Sequence, residues 1–386
     1  MSKALKALSI IVFVSFLLGS NEFIVLGISS ELAHNFNVSA NQIGSLTTIY
    51  AVIYAIFIVI LIPLTSALHN FKRLIWFVVI FASTNILTAI SFNYYFFAFS
   101  RIASATIVGT INSLLIAFIS KVAPEGKETT YLVGVFTGIS LASVLGVPCY
   151  SFLTGIIGWR ILFALIGGLS LLSVVMLSLV LPHWDGDVST SISNQYAVFR
   201  DSEMLLGIAV TSLSVAAVYS FYTYLEPFLR TDIQLNTTST SLVLGIFGLM
   251  SLFSNHVSSW LQRRFAQESF PRIFLIIIVC FIVAMLVRDN PVFEVLVIIM
   301  FGTILYLIGT PATVLFINIS KRNHPAADVM GASIYPIAFN VGISLGSMTG
   351  GAMLEAFNFD GIFFGGLILA MLGLPLSMIL VKKIPA

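Results

Sequence analysis

The sequence predicts an all-α membrane protein with twelve transmembrane helices in two pseudo-symmetric bundles of six. Three observations predict it: a composition too apolar for a water-facing surface, twelve apolar runs of spanning length, and an internal repeat about 200 residues apart.

Hydrophobic residues make up 58% of the 386 and charged residues 9%, with a mean hydropathy of +1.05. Soluble domains carry about 25% charged residues, so this chain cannot cover a solvated surface. A net charge of +2 offers no basic face for nucleic acid. Cys149 and Cys280 lie in apolar runs, which argues against a disulfide framework. Lys3 and Lys6 precede the first apolar run as in a signal peptide, but no small-residue cleavage site follows and the run is long enough to span. It reads as a retained first helix. The chain has no Gly-Lys-Ser/Thr phosphate loop, no metal-ligand cluster and no nucleophile–base constellation. The expectation is therefore no enzyme activity, no cofactor or metal, and energy drawn from a gradient.

A hydrocarbon core of about 30 Å needs roughly 20 helical residues. Breaks at polar and Pro/Gly clusters give spans 7–29, 43–67, 74–92, 95–120, 130–155, 161–182, 204–228, 240–261, 273–287, 292–319, 329–356 and 361–381. The narrowest breaks are Asn93-Tyr94 and Asp289-Asn290-Pro291. Charge tests the count. With the N-terminus inside, only Arg160, Arg230 and Arg288 of the 18 Lys and Arg fall outside, and Arg101 lies within a span. The other fourteen, from Lys3 and Lys6 to Lys382 and Lys383, fall on the cytoplasmic side. Removing one span would invert everything after it. Both termini are expected in the cytoplasm.

The repeat is carried by glycines. Gly138-Ile-Ser-Leu-Ala-Ser-Val-Leu-Gly146 in the fifth span matches Gly342-Ile-Ser-Leu-Gly-Ser-Met-Thr-Gly350 in the eleventh at six of nine positions, 204 residues later. Ile119-Ser120-Lys121 likewise recurs as Ile319-Ser320-Lys321, followed by Pro124 and Pro325. The offset maps the first span onto the seventh and the sixth onto the twelfth. The expected organisation is a six-helix bundle at 1–183, a polar cytoplasmic linker at 184–203 and a second bundle at 204–386. Parallel repeats of this kind are described for major facilitator transporters.

The residues carry a resemblance to that family. Leu18-Gly19-Ser-Asn-Glu22-Phe, running to Gly27 and Glu31-Leu32, resembles a first-helix signature. Phe99-Ser100-Arg101 resembles the arginine motif of helix four, and Leu141 to Pro148 with Gly158-Trp159-Arg160 resembles the antiporter motif of helix five. Tyr222-Thr-Tyr224-Leu-Glu226-Pro227 and Phe339-Asn340-Val-Gly342 resemble second-half signatures. From about residue 10 to 380 the chain is similar to the bacterial drug:proton antiporter branch of the major facilitator superfamily, nearest to its sugar-efflux and purine-efflux exporters. The resemblance implies a multi-pass protein of the bacterial inner membrane. It also implies that Gly138, Gly146 and Pro148 bend helix five where antiporters seal their cavity. One departure stands out. The family's loop between helices two and three carries Gly and Asp before its basic cluster; here Pro63 to Lys72-Arg73 keeps the cluster and lacks the Asp.

Charge within a span points to chemistry, because placing it there costs at least about 2.5–3.5 kcal/mol. Glu22 and Arg101 lie roughly 9–12 Å below the outer surface at about 1.5 Å per residue, and in the resembling fold both helices line the central cavity. Glu22 is the candidate proton carrier and Arg101 the group that tunes it; a structural ion pair, or an arginine that snorkels outward, is the alternative. Asn21, Tyr50, Tyr54, Asn112, Tyr222, Tyr224, Glu226 and Asn340 are candidate cavity residues, since small-molecule sites set a few polar groups in apolar walls. Hydrogen bonding between helices would account for the same residues, and Glu226 also suits a position at the water interface. Lys72, Arg73, Asn255 and His256 lie near cytoplasmic ends and are candidate gate residues. Glycines four apart along helices five and eleven fit close backbone approach.

The expected function is secondary active export of a small organic molecule (a sugar, a purine or nucleoside, or a drug-like compound) in exchange for protons, by alternating access. Its partners would be that substrate, protons and the lipid bilayer, with no nucleic acid, and the chain would act as a monomer. A facilitator or proton-coupled importer of a sugar or nucleobase is the first alternative. A lipid flippase, suited to 33 phenylalanines, is the second. The antiporter motif favours export.

Overall fold

Backbone N–H and C=O groups in hydrocarbon have to be paired within the segment that carries them, and the apolar runs accordingly fold as helices. The computed structural model describes residues 3–65, 68–124, 131, 135, 138–182, 196–288, 291–324 and 328–384. Residues 184–195 of the expected linker, Gly134 and Pro325 lie outside the described residues.

The helices are α1 Lys3–Gly27, α2 Ser29–Phe36, α3 Ala40–Leu64, α4 Asn70–Ala89 and α5 Tyr94–Val122. The fifth apolar run follows as a π-helical turn, Ala142–Gly146, leading into α6 Val147–Ile157. Then come α7 Trp159–Val180, α8 Ser202–Tyr222, α9 Thr237–Phe265, α10 Ser269–Leu286, α11 Pro291–Phe301, α12 Gly309–Asn323, α13 Asp328–Phe357 and α14 Asp360–Lys383. Ten described helices are long and apolar enough to cross a membrane, and eleven if the bent pair Gly138–Val144 and Val147–Ile157 is one span. One of the ten, Thr237–Leu286, contains both α9 and α10, broken at Ala266, whose φ is 45°. Each expected span thus has a helical counterpart. The first is longer in effect than expected: α1 ends at Gly27 and α2 continues as a separate short helix.

Contacts gather the chain into two compact units. Met1–Ile28 and Ile53–Ser189 form the first; Ser29–Val52 and Thr190–Ala386 form the second. In the first, α1 packs on the fifth run through glycines. A Cβ at Gly138 would lie 2.4 Å from the Val12 carbonyl oxygen, and one at Gly27 would lie 2.5 Å from the Val147 carbonyl oxygen. Phe97, Trp159 and Phe163 meet edge to face between α5 and α7, with centroids 5.6–6.3 Å apart. In the second unit, α13 packs on α8 in the same manner. Cβ atoms at Gly346 and Gly350 would lie 2.4 Å and 2.3 Å from the carbonyl oxygens of Ala216 and Ser220.

Hydroxyl side chains within helices mostly turn back on their own backbone. Ser83 donates to Val79 O, Thr88 to Thr84 O, Ser113 to Gly109 O, Ser170 to Ile166 O, Thr313 to Gly309 O and Thr349 to Leu345 O.

Charged groups at the helix ends tie the second unit together. Arg288 pairs with Asp232 at 2.8 Å, with Asp360 at 2.7 Å and with Glu294. Asp201 caps α8, accepting from the amides of Glu203 and Met204, and also accepts from Asn323. Its carboxylate lies 3.2 Å from His324 Nε2. Partial burial acts to raise the Asp201 pKa, but these hydrogen bonds outweigh it and hold the carboxyl below its ordinary value.

Candidate functional site

Helix α1 carries Asn21 and Glu22 side by side, so the two side chains leave the helix about 100° apart. Asn21 is fully buried and meets side chains from two other helices, α4 and α5. Its Nδ2 donates to Asn85 Oδ1 at 2.7 Å, and its Oδ1 accepts from Ser104 at 3.2 Å. Its backbone oxygen accepts from Arg101 at 2.7 Å. Asn85 is itself anchored, donating to Phe81 O at 2.8 Å. The Arg101 guanidinium is 3% exposed and also lies over the Phe163 ring, 5.6 Å from its centroid. The positive charge is therefore fixed at the peptide one residue before Glu22, and it acts on the Glu22 carboxylate. Glu22 keeps some exposure while its neighbours in α1 are buried. Tyr54 and Asn112 complete this group: their side chains are hydrogen-bonded, and the Tyr54 hydroxyl feels the charge of Glu22. Gly109 lets the Tyr54 ring lie close, since a Cβ there would be 3.1 Å from that ring.

The first unit thus brings together Asn21, Glu22, Tyr54, Arg101 and Asn112. Sequence reasoning missed Asn85 and Ser104. An asparagine inside the otherwise apolar third span was a readable signal, but its partner is set only by packing.

The other cavity candidates belong to the second unit. Tyr222 stacks on Phe247, with centroids 5.2 Å apart and planes 11° apart, and meets Tyr219 edge to face. Tyr219 in turn meets Phe339, on which Tyr306 stacks at 6.2 Å. Of this aromatic group only Tyr222 was a sequence candidate; the others are one aromatic per turn in apolar helices, indistinguishable from packing residues. Asn340 donates back to Pro336 O at 3.1 Å within α13. Tyr50 is 4% exposed on the 29–52 segment. Tyr224 reaches Asn41 Oδ1 at 3.2 Å and Ser347 O at 3.0 Å. Glu226 is 2% exposed and held by Ser29, Ser30 and Arg230.

Of the gate candidates, Lys72 is exposed, while Arg73 is buried and closes its loop by donating to Thr65 O at 3.0 Å. Asn255 is half-buried; His256 is exposed, with Nδ1 3.2 Å from Leu252 O. Of the helix-five motif, Gly138 precedes the π turn, Gly146 ends it and Pro148 opens α6, and the run bends there by 56°. Proline lacks an N–H and crowds the carbonyl four residues back, which is where the π turn lies. Among the described residues no cluster of metal ligands occurs.

Comparison with known proteins agrees with this architecture. The chain resembles the crystal structure of a bacterial homologue of the human lysosomal transporter Spinster, inward-facing and unoccupied, with a TM-score of 0.76 at 13% identity, covering 99% of this chain and 98% of the other. It resembles a D-xylose-proton symporter with a TM-score of 0.78 at 16% identity, covering 100% and 98%. Identities this low speak for the fold alone. The family model of the Major Facilitator Superfamily matches residues 11–333, most of the chain, and this multi-span helical protein therefore belongs to that superfamily of membrane transporters.

Proposed function

We propose that the protein exports a small organic molecule in exchange for protons by alternating access, with Glu22 as the proton carrier and Arg101 as the cation that tunes it. The observation that carries this reading is the guanidinium held on the Asn21 carbonyl beside a partly exposed Glu22. An arginine close to a carboxylate favours its charged form, whereas burial favours the neutral one. A change in wetting around the pair would then load and unload the proton. Tyr54 and Asn112 on the same unit add polar groups of the kind that a small organic substrate needs. The π turn and bend at 142–148 fit the antiporter resemblance and favour export over import. The D-xylose-proton symporter shares the fold and couples its cargo to protons in the opposite sense, so direction has to be measured.

Proteoliposome flux over a panel of sugars, purines and cationic drugs, with and without a pH gradient, tests the reading. The expected result is gradient-driven accumulation of one class in wild type. Glu22→Gln should abolish accumulation while leaving substrate exchange at zero gradient intact, because glutamine keeps size and hydrogen bonding but carries no proton. Accumulation by Glu22→Gln at the wild-type level would overturn the assignment of the proton to Glu22.

A further inference from the structure

Glu226 is a buried carboxylate outside the Glu22 group, and its partners are all donors. Its Oε2 accepts from Ser29 Oγ at 2.9 Å, from the Ser30 amide at 2.9 Å and from Ser30 Oγ at 2.7 Å. Its Oε1 pairs with Arg230 Nε at 3.1 Å. Ser29 and Ser30 open the eight-residue helix α2, whose first N–H groups have no partner within the helix and favour a negative charge. The carboxylate thus binds the start of α2 to the turn that follows α8. The Ser30 amide and Arg230 can only donate, so a proton on Oε2 would face that amide and a proton on Oε1 the cation, unless a serine hydroxyl gave up its own bond and turned to accept it. Hydrogen bonds to an ionised acceptor are also roughly twice as strong as neutral ones.

The rest of the 29–52 segment is held more lightly. Tyr224 reaches Asn41, Asn41 donates to Glu355, and Thr48 meets Ser347 at 2.6 Å. Of the charged groups around Glu226, Arg230 acts on it directly. Glu31 and His34 lie further along α2, Asp232 is taken by Arg288, and Glu355 is engaged by Asn41.

We propose that Glu226 is a proton-binding latch: ionised, it ties Ser29 and Ser30 to the turn at 225–232, and protonated, it releases the 29–52 segment. The incoming proton comes from water and stays on the carboxyl; Arg230 keeps its charge and its bond to Thr237 Oγ1. The meaning of the release as one step of a transport cycle rests on the proposed function, whereas the release itself does not.

The test measures the distance between spin labels at Asn35→Cys and Thr238→Cys, both exposed sites, in full-length protein with Cys149→Ser and Cys280→Ser, in nanodiscs from pH 8 to 4.5. Wild type should give one distance at pH 8 and a growing longer population as pH falls, with the slope of a single proton. Glu226→Gln should show the longer population at every pH. Ser30→Ala, which removes one donor and spares the charge, should move the midpoint upward by about one pH unit; it stands in if Glu226→Gln fails to fold. Glu22→Gln should leave the profile unchanged, so a failure of the Glu22 assignment and a failure of the latch show up in different variants. A distance independent of pH in wild type overturns the latch. So does a wild-type profile in Glu226→Gln, an unmoved midpoint in Ser30→Ala, or a profile lost only in Glu22→Gln.

Discussion

The fifth run and α13 carry the same glycine motif, each packed against the helix that opens its half, and yet one is bent and the other runs unbroken for 30 residues. Gly138 meets Val12 O on α1; Gly342 and Gly346 meet Ser212 O and Ala216 O on α8. The shared glycines therefore encode the packing, and something else encodes the bend. Shifted by 204, Pro148 falls on Ala352. The first half pairs its proline with a π turn, a local insertion that interrupts the regular ladder. α13 has a proline too, Pro336, but six residues before its motif rather than two after. Close packing and bending are separable properties of one motif.

The largest expected effect tests the packing. Gly346→Val should lower stability by about 3 kcal/mol, since its Cβ meets backbone that cannot swing aside. Gly138→Val meets backbone at the same 2.4 Å, but the bent run can rotate, and a loss of about half that size is expected. Thermal unfolding in detergent measures both, and equal losses would mean that the bend gives no compliance. Exchanging the prolines comes next. Ala352→Pro should cost roughly 2–3 kcal/mol in mid-helix, while Pro148→Ala should leave stability within about 1 kcal/mol and slow transport. A Pro148→Ala protein with wild-type flux would remove the bend from the mechanism.

The two turns after these helices sharpen the contrast. Gly158 sits at φ 77°, ψ 152°, a region open essentially to glycine alone, and a Cβ there would meet nothing within 4 Å. Gly158→Ala should therefore cost about 1–2 kcal/mol from backbone strain only. Asn358 turns the second half at φ 53°, which asparagine adopts readily, so Asn358→Gly should lie within about 0.5 kcal/mol of wild type. A neutral Gly158→Ala would show that the turn relaxes. The smallest effect concerns Asp201, which caps the start of α8. Its carboxyl is held low, so it stabilises the protein above the unfolded value of about 3.9, and that contribution is lost as pH falls through the folded value. The difference in Tm between wild type and Asp201→Asn should be present at pH 6 and vanish in strong acid. A difference that stays constant with pH would assign the role to geometry rather than charge.

Much of the fold was legible because spanning length is a property of single segments. The glycine repeat marked helices five and eleven for close backbone approach, since a missing Cβ leaves room for a neighbour's backbone, but it did not say whose. Glu22 and Arg101 could be placed at one depth by counting residues. What depth could not supply was the join between them: the contact runs through the Asn21 carbonyl, a group that every residue has. The Arg288 knot was closer to hand, because Asp232, Glu294 and Asp360 all fall at span ends on the side assigned to Arg288. The break after Gly27 was not legible, since Ile28 and Ser29 interrupt no apolar pattern strongly enough. The grip of Glu226 on α2 stayed hidden with it.

The serine and threonine hydroxyls that donate to their own helix one turn back have a mechanical consequence. Most of those named are satisfied before their helix meets a neighbour and add no polar bond that must break for the helices to slip; Thr88, which also reaches Ser100 Oγ, is the exception. Where such hydroxyls line an interface, dispersion is what resists. Helices built this way are lubricated by their own side chains, and the bonds that do cross, such as those at Asn21, Ser212, Ser220 and Glu226, act as the detents that decide where the sliding stops.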